Sequence, residues 1–235
     1  MTPIPKQKTN KPSSGPVVLI CAVEQERSGA ARAFNFTGKE KLGCFTADKC
    51  RAGAADVVMV ACGIGKSRAA AAAALTIERY APSLVVSFGS AGGVSAGLKI
   101  KDVLVPGRVC MYDFDLTAAG LAAGEQWGGP VYMETDAAAR GRLSAYPGAK
   151  AGTLGSGDRF VSRERLPSEL GALGADACDM EGAAIAHICL LSSVPFCAVK
   201  VISDTLSPDE YEHNAVDAGS LFADIFKRFF DMAAN

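Results

Sequence analysis

The chain predicts an α/β fold of three layers, a central mixed β-sheet flanked by helices, on three observations. Short apolar runs of strand length alternate with helix-like stretches through most of its 235 residues. Two of those runs lead directly into glycine-rich turns, Gly63-Ile64-Gly65 and Gly89-Ser90-Ala91-Gly92-Gly93. Between Phe34 and Cys50 the alternation lapses into short strand-like pieces with no strong helix, which requires some antiparallel pairing.

In chain order, residues 17–22 are continuously apolar and read as a buried strand, with a polar helix start at Glu24. Residues 57–62 form a second strand, and the Gly63-Ile64-Gly65 turn opens an alanine-rich helix through Tyr80. Residues 84–88 make a third strand, ending in the glycine run. Residues 103–106, 152–154 and 196–202 supply further strands. Ala118 to Pro130 is glycine-rich, carries the sole tryptophan, Trp127, and reads as a long loop. Ala218, Leu221, Phe222, Ile225 and Phe229 recur at helical spacing, so a long amphipathic helix closes the chain.

Residues 1–15 are polar and rich in Pro, Lys and Ser, without the apolar centre of a signal peptide, and are expected to be a disordered tail. Residues 16–235 carry no repeat or linker and are long enough for one domain with a substantial core. A formal net charge of −1 gives no electrostatic reason to expect nucleic acid or an anionic membrane as partner. No apolar stretch approaches the roughly 20 residues that span a bilayer. Of eight cysteines, Cys21, Cys62, Cys178 and Cys197 lie in or beside apolar runs, and no C-x-x-C pair occurs. With only His187 and His213 beside them, neither a disulfide framework nor a structural zinc site is expected; a reducing cytoplasm is.

The chemistry concentrates in acids at strand and helix junctions. Asp179-Met180-Glu181 precedes a run of small helix formers, and Asp204 closes the apolar run from Phe196. In a layered α/β fold both fall at the crevice beyond the carboxyl ends of the strands, where ligands bind. A carboxylate there suits the paired hydroxyls of a ribose, and a shielded acid can protonate a leaving base. Lys200 stands inside the same apolar run, a cost unless it is paired or functional. Glu24 and Glu26 follow the first strand, where acids also favour a helix start. Gly65-Lys66-Ser67 ends like a phosphate loop, but Val60 stands where that loop needs its first glycine, so this is a plain strand-to-helix turn. In Gly89 to Gly93 a ligand could approach the backbone closely, with Ser90 offering a hydroxyl.

Seven motifs occur in the order seen in 5′-methylthioadenosine/S-adenosylhomocysteine nucleosidases. They are Cys21-Ala22-Val23-Glu24-Gln25-Glu26, Gly63-Ile64-Gly65-Lys66, the Gly89 to Gly93 run, Tyr112-Asp113-Phe114-Asp115-Leu116-Thr117, Ser156-Gly157-Asp158-Arg159-Phe160, Asp179-Met180-Glu181 and Ser203-Asp204. The chain resembles that family from Val17 to the last helix, within the nucleoside phosphorylase/uridine phosphorylase superfamily and its phosphorylase/hydrolase-like fold. The resemblance implies that Glu26 prepares an attacking water and Asp204, steadied by Ser203, protonates N7 of adenine. It implies that Glu181 holds the ribose hydroxyls with Met180 packed on the sugar. Phe160 would stack on the base, the Val161 backbone would read its edge, and Ser90 would lie near sugar and water. Asp179 and Lys200, placed in the substrate-binding set, stand where bacterial members commonly carry Glu and Arg. Val23 stands where many carry methionine, and the Ala118-Ala119-Gly120-Leu121 stretch lacks aromatics that relatives use to cover the 5′ substituent across a dimer interface.

The resulting expectation is an N-ribosyl hydrolase that releases adenine from 5′-methylthioadenosine, S-adenosylhomocysteine or a related 5′-substituted adenosine. It needs no metal or organic cofactor, binds a small nucleoside, and by resemblance forms a homodimer. A phosphate-dependent purine nucleoside phosphorylase, with Arg27, Arg68 and Lys200 as candidate phosphate cations, and a non-catalytic nucleoside-binding or storage protein are the alternatives.

Overall fold

The computed structural model describes residues 14–231, leaving aside the side chains at 212, 213 and 215–219 of the last helix. Most of the expected tail, residues 1–13, lies outside the described residues, as does the side chain of Ala218. The chain runs β1 (Val17–Cys21), α1 (Glu24–Ala31), β2 (Asn35–Leu42), β3 (Phe45–Ala52), β4 (Ala55–Ala61) and α2 (Lys66–Tyr80). It continues through β5 (Leu84–Gly93), β6 (Val103–Met111), β7 (Met133–Glu134), α3 (Ala137–Ser144), β8 (Lys150–Ser156) and α4 (Ser168–Ala172). β9 (Ala177–Asp179), α5 (Gly182–Ser192), β10 (Phe196–Asp204) and α6 (Pro208–Asp231) complete it.

Period-two alternation in β1 shows how the three layers form. Val18 and Ile20 point into a core shared with Ala69, Ala72 and Ala73 of α2 and with Ala183, Ile185 and Ala186 of α5. Leu19 and Cys21 point the opposite way, into a core with Ala30 of α1, Leu143 of α3 and Phe222, Phe226 and Phe229 of α6. Small residues on α2 and α5 let those helices lie close to the sheet. Opposite them, bulky phenylalanines fill the gap: Phe88, the last large residue of β5 before its glycine run, meets Phe222 and Phe226 edge-on at 5.1 and 5.2 Å.

The sheet is mixed, as the lapse after Phe34 requires. β1 lies parallel between β4 and β5, β3 adds antiparallel to β4, and β2 adds antiparallel to β3. β2 and β3 are eight residues each, longer than the short pieces expected, because Gly43 in the left-handed region (φ 60°) closes them into one hairpin. Beyond β5 the sheet closes on itself. β5 pairs with β10, β10 with β6, β6 with β8, β8 with β9, and β9 again with β5, a ring of five strands. β5 thus belongs to both the open wing and the ring. It also runs on through Gly93, whereas the sequence places its end at Phe88; bare backbone at Gly92 and Gly93 is what β9 pairs against.

Candidate active site

One cleft opens at the carboxyl ends of β1, β5 and β10, and the three acids singled out from sequence all line it. Glu26 is the third residue of α1 and is 3% exposed. Its Oε2 accepts the backbone N–H groups of Ala22 and Val23 at 3.1 and 3.2 Å. Its Oε1 accepts the amide and the hydroxyl of Ser90 at 2.7 and 2.9 Å. The carboxylate is therefore fixed on both oxygens. Gly89 makes room for it: with φ 148°, any Cβ at Gly89 would stand 2.8 Å from Glu26 Oε1.

Asp204 sits at the last position of β10, where the pairing with β5 slips so that Ile202 faces Ala91 and Asp204 faces Gly92. Such bulges re-aim a side chain at a sheet's end. Asp204 Oδ2 accepts the Ser203 hydroxyl at 2.8 Å and Oδ1 accepts Leu206 N–H at 2.9 Å. Burial pushes the Asp204 carboxyl above the usual range, against the opposing pull of the Ser203 hydroxyl and the Leu206 and Ser207 amides.

Glu181 precedes α5 and accepts the Gly65 N–H at 2.8 Å, so the turn dismissed as a phosphate loop serves to hold a carboxylate. Burial first, then the neighbouring Asp179, pushes Glu181 up to about 7, with Lys200 and the Gly65 amide opposing. Asp179 and Lys200 line the cleft but spend their charges on each other: Lys200 Nζ lies 2.8 Å from Asp179 Oδ2, both side chains almost wholly buried. Burial alone would depress the lysine, yet Asp179 and Glu181 outweigh it and hold its ammonium above the ordinary range. Asp179 also accepts Gly182 N–H at 2.9 Å and the Ser156 hydroxyl, and Ser156 Oγ accepts Ala183 N–H at 2.8 Å. This network seats the first turn of α5, and with it Glu181.

Ser90, Phe160, Val161, Met180 and Ser203 complete the predicted set, and all line the same cleft. Phe160 is 53% exposed, its ring meeting Tyr211 edge-on at 5.4 Å, while Val161 is buried behind it. Tyr211, Ile64 and Cys178 are among the lining residues to which the sequence assigned no site role. Tyr211, one turn into α6, has its hydroxyl pushed up by burial and by Glu26, Glu181 and Asp204; a lone aromatic in an otherwise polar first turn is the signal it left. Ile64 is 55% exposed between two positive-φ glycines, an apolar side chain the turn cannot bury. Cys178 lies beside Asp179, its thiol pushed up to about 12 by burial.

Trp127, in the long glycine-rich loop, is 54% exposed and is not among the cleft residues. The eight cysteines are all unpaired thiols, and Cys21, Cys62, Cys178 and Cys197 are buried as their apolar surroundings predict. Among the described residues no cluster of three or more His, Cys, Asp or Glu is arranged to hold a metal ion. No described helix is long and apolar enough to cross a membrane.

Residues 16–231 match the phosphorylase superfamily model. A 5′-methylthioadenosine/S-adenosylhomocysteine nucleosidase of Shewanella denitrificans is 36% identical over 178 residues, 70% of this chain and 76% of that protein. The Colwellia psychrerythraea protein of the same name is 39% identical over 173 residues, 67% of this chain and 71% of that one. In three dimensions the chain is similar to S-adenosylhomocysteine nucleosidase of Streptococcus pyogenes in complex with 5-methylthiotubericidin. The TM-score is 0.88 at 27% identity, over 94% of this chain and 98% of that one.

Proposed function

The chain belongs to the 5′-methylthioadenosine/S-adenosylhomocysteine nucleosidases of the phosphorylase superfamily, and from that premise we propose the reaction its cleft performs. It is an N-ribosyl hydrolase that releases adenine from 5′-methylthioadenosine, S-adenosylhomocysteine or a related 5′-substituted adenosine. The observation that carries the reading is the clamping of Glu26 by four donors, one of them the Ser90 hydroxyl.

In this reading water attacks C1′ while Glu26 takes its proton. The C1′–N9 bond breaks with its electron pair leaving on the base, and Asp204 delivers a proton to N7, so adenine departs neutral. Burial raises the Asp204 carboxyl above its usual range, the direction a proton donor needs. Glu181 binds the ribose hydroxyls and, once ionised, faces the oxocarbenium-like sugar. Met180 packs on the sugar, Phe160 stacks on the base, and the Val161 backbone reads its edge. Asp179 and Lys200 act from behind Glu181 as a neutralised pair that sets its position and charge.

Phosphorolysis is disfavoured by the state of the candidate cations. Arg27 is taken up by Glu24 and Asp48, Arg68 donates to Cys62 O at 2.7 Å, and Lys200 is paired with Asp179. A phosphate dianion would meet the Glu26 carboxylate without them. Incubation with 5′-methylthioadenosine in phosphate-free buffer tests the reading: adenine and a free 5-substituted ribose are expected. Strict phosphate dependence with a ribose 1-phosphate product would establish the phosphorylase instead. Binding without base release would establish a storage protein.

The same proposal places residues 16–235 in one catalytic domain working in the cytoplasm as a homodimer. Exposed Trp127 and the small residues near it support a partner subunit completing the 5′ end of the cleft. Light scattering gives the oligomeric state directly.

A further inference from the structure

One charged residue from each of three ordered motifs takes no part in the cleft chemistry above, and these three residues meet beside the cleft. Lys66 opens α2, Asp113 follows β6, and Asp158 follows β8. Lys66 N–H donates to Asp158 Oδ1 at 2.8 Å, Asp158 N–H donates to Asp113 Oδ2 at 2.8 Å, and Lys66 Nζ pairs with Asp113 Oδ1. The adjacent Gly65 N–H is the donor to Glu181. Gly65 has φ 102°, and a Cβ there would stand 3.2 Å from Asp158 Oδ1, so the turn is seated directly against that carboxylate. Two residues beyond Asp158, on the same loop, Phe160 enters the cleft.

We propose that Asp158 is a positioning residue for the ribose carboxylate: it seats the turn before α2 so that Gly65 N–H stays aimed at Glu181. It does so from the loop that presents the aromatic Phe160. The role assigned to Glu181 rests on the nucleosidase reading, whereas the clasp itself is a matter of geometry. Charged and titratable groups face Glu181 from every side: Asp179 from β9, Lys200 from β10, Glu26 from α1, Cys62 after β4 and Tyr211 from α6. Substitution at Asp158 changes none of them. Deleting the negative charge of Asp158 would, on Coulomb grounds alone, ease ionisation of Glu181 and lower its titration midpoint. Losing the Gly65 donor does the opposite. The sign of the shift therefore separates the clasp from a simple field effect.

The experiment follows the Gly65 amide resonance in isotopically labelled full-length protein between pH 5 and 9, in wild type, Asp158→Asn and Asp158→Ala. Wild type should titrate near the value of about 7 to which Glu181 is pushed. Asp158→Ala should move the midpoint upward by about one unit, the worth of one donor to a carboxylate. Asp158→Asn keeps an oxygen for Lys66 N–H and should stay at or slightly below wild type. Asp158→Ser, too short to reach Lys66, replaces the alanine variant should that fail to fold. An unchanged or lowered midpoint in the alanine or serine variant overturns the proposal. If the enzyme releases adenine, the acid limb of kcat/KM should move with the amide. If wild type releases none, the nucleosidase reading falls, and the amide titration still decides the clasp.

Discussion

Glu26 accepts both the amide and the hydroxyl of Ser90, at 2.7 and 2.9 Å. One residue of β5 thus orients the carboxylate of α1 that is assigned to the water. The two should behave as one unit. Glu26→Gln is expected to lower kcat by about 10²–10⁴-fold, the usual worth of a general base. Ser90→Ala removes one hydrogen bond to a charged group and should cost roughly 10- to 100-fold. The double variant should be little worse than Glu26→Gln alone, and full multiplication of the two losses would show that they act independently.

Asp204→Asn should keep nucleoside binding while losing the proton donor, with the deficit of roughly 10²–10⁴-fold falling on kcat. An analogue whose leaving group needs no protonation should be cleaved nearly as well by the variant as by wild type. Equal impairment on both substrates would remove Asp204 from the acid's role.

Lys200→Met leaves the Asp179 carboxylate buried without its counter-charge. Breaking such a pair on one side typically costs about 3–5 kcal/mol, so the denaturation midpoint in urea should fall well below wild type. Adding Asp179→Asn should recover a large part of the loss. A stable single variant would mean that the pair is dispensable to the fold.

Glu181 gives stability a pH dependence of definite sign. Burial and Asp179 push its carboxyl up to about 7 in the folded chain, whereas unfolded it titrates in the ordinary glutamate range near 4.3. The folded state therefore binds more protons between those values, and stability falls as pH rises through them, by up to a few kcal/mol. Glu181→Gln cannot ionise. It should gain Tm relative to wild type at pH 8, show little gain at pH 4, and lose activity in both kcat and KM. A constant Tm difference across pH would refute the linkage.

Much of this was legible in the sequence because it lives in local pattern. The apolar run ending at Asp204 and the small helix formers after Glu181 place both acids at the crevice without any knowledge of pairing. Lys200 announced a partner by its cost, and Asp179 is that partner. What was not legible depends on contacts between distant segments. The closure of β10, β6, β8 and β9 onto β5 needs cross-strand registers that no single run encodes. β9 is only three residues long, too short for a periodic signal. Tyr211 reaches the cleft because α6 packs along the sheet, and the partnership of Gly65 with Glu181 spans 116 residues.

The glycine run of β5 also acts as a ruler. Gly89 and Ser90 abut the acid assigned to the incoming water, and Gly92 abuts the acid assigned to the departing base. About two residues of extended backbone, roughly 7 Å, therefore set the gap between the two ends of the reaction. That length is held in a strand hydrogen-bonded into both the wing and the ring, so loops on the rim can lengthen, shorten or change composition without altering it. A lineage carrying this scaffold could trade one 5′ substituent for another through loop substitutions while the span across the breaking bond stayed constant.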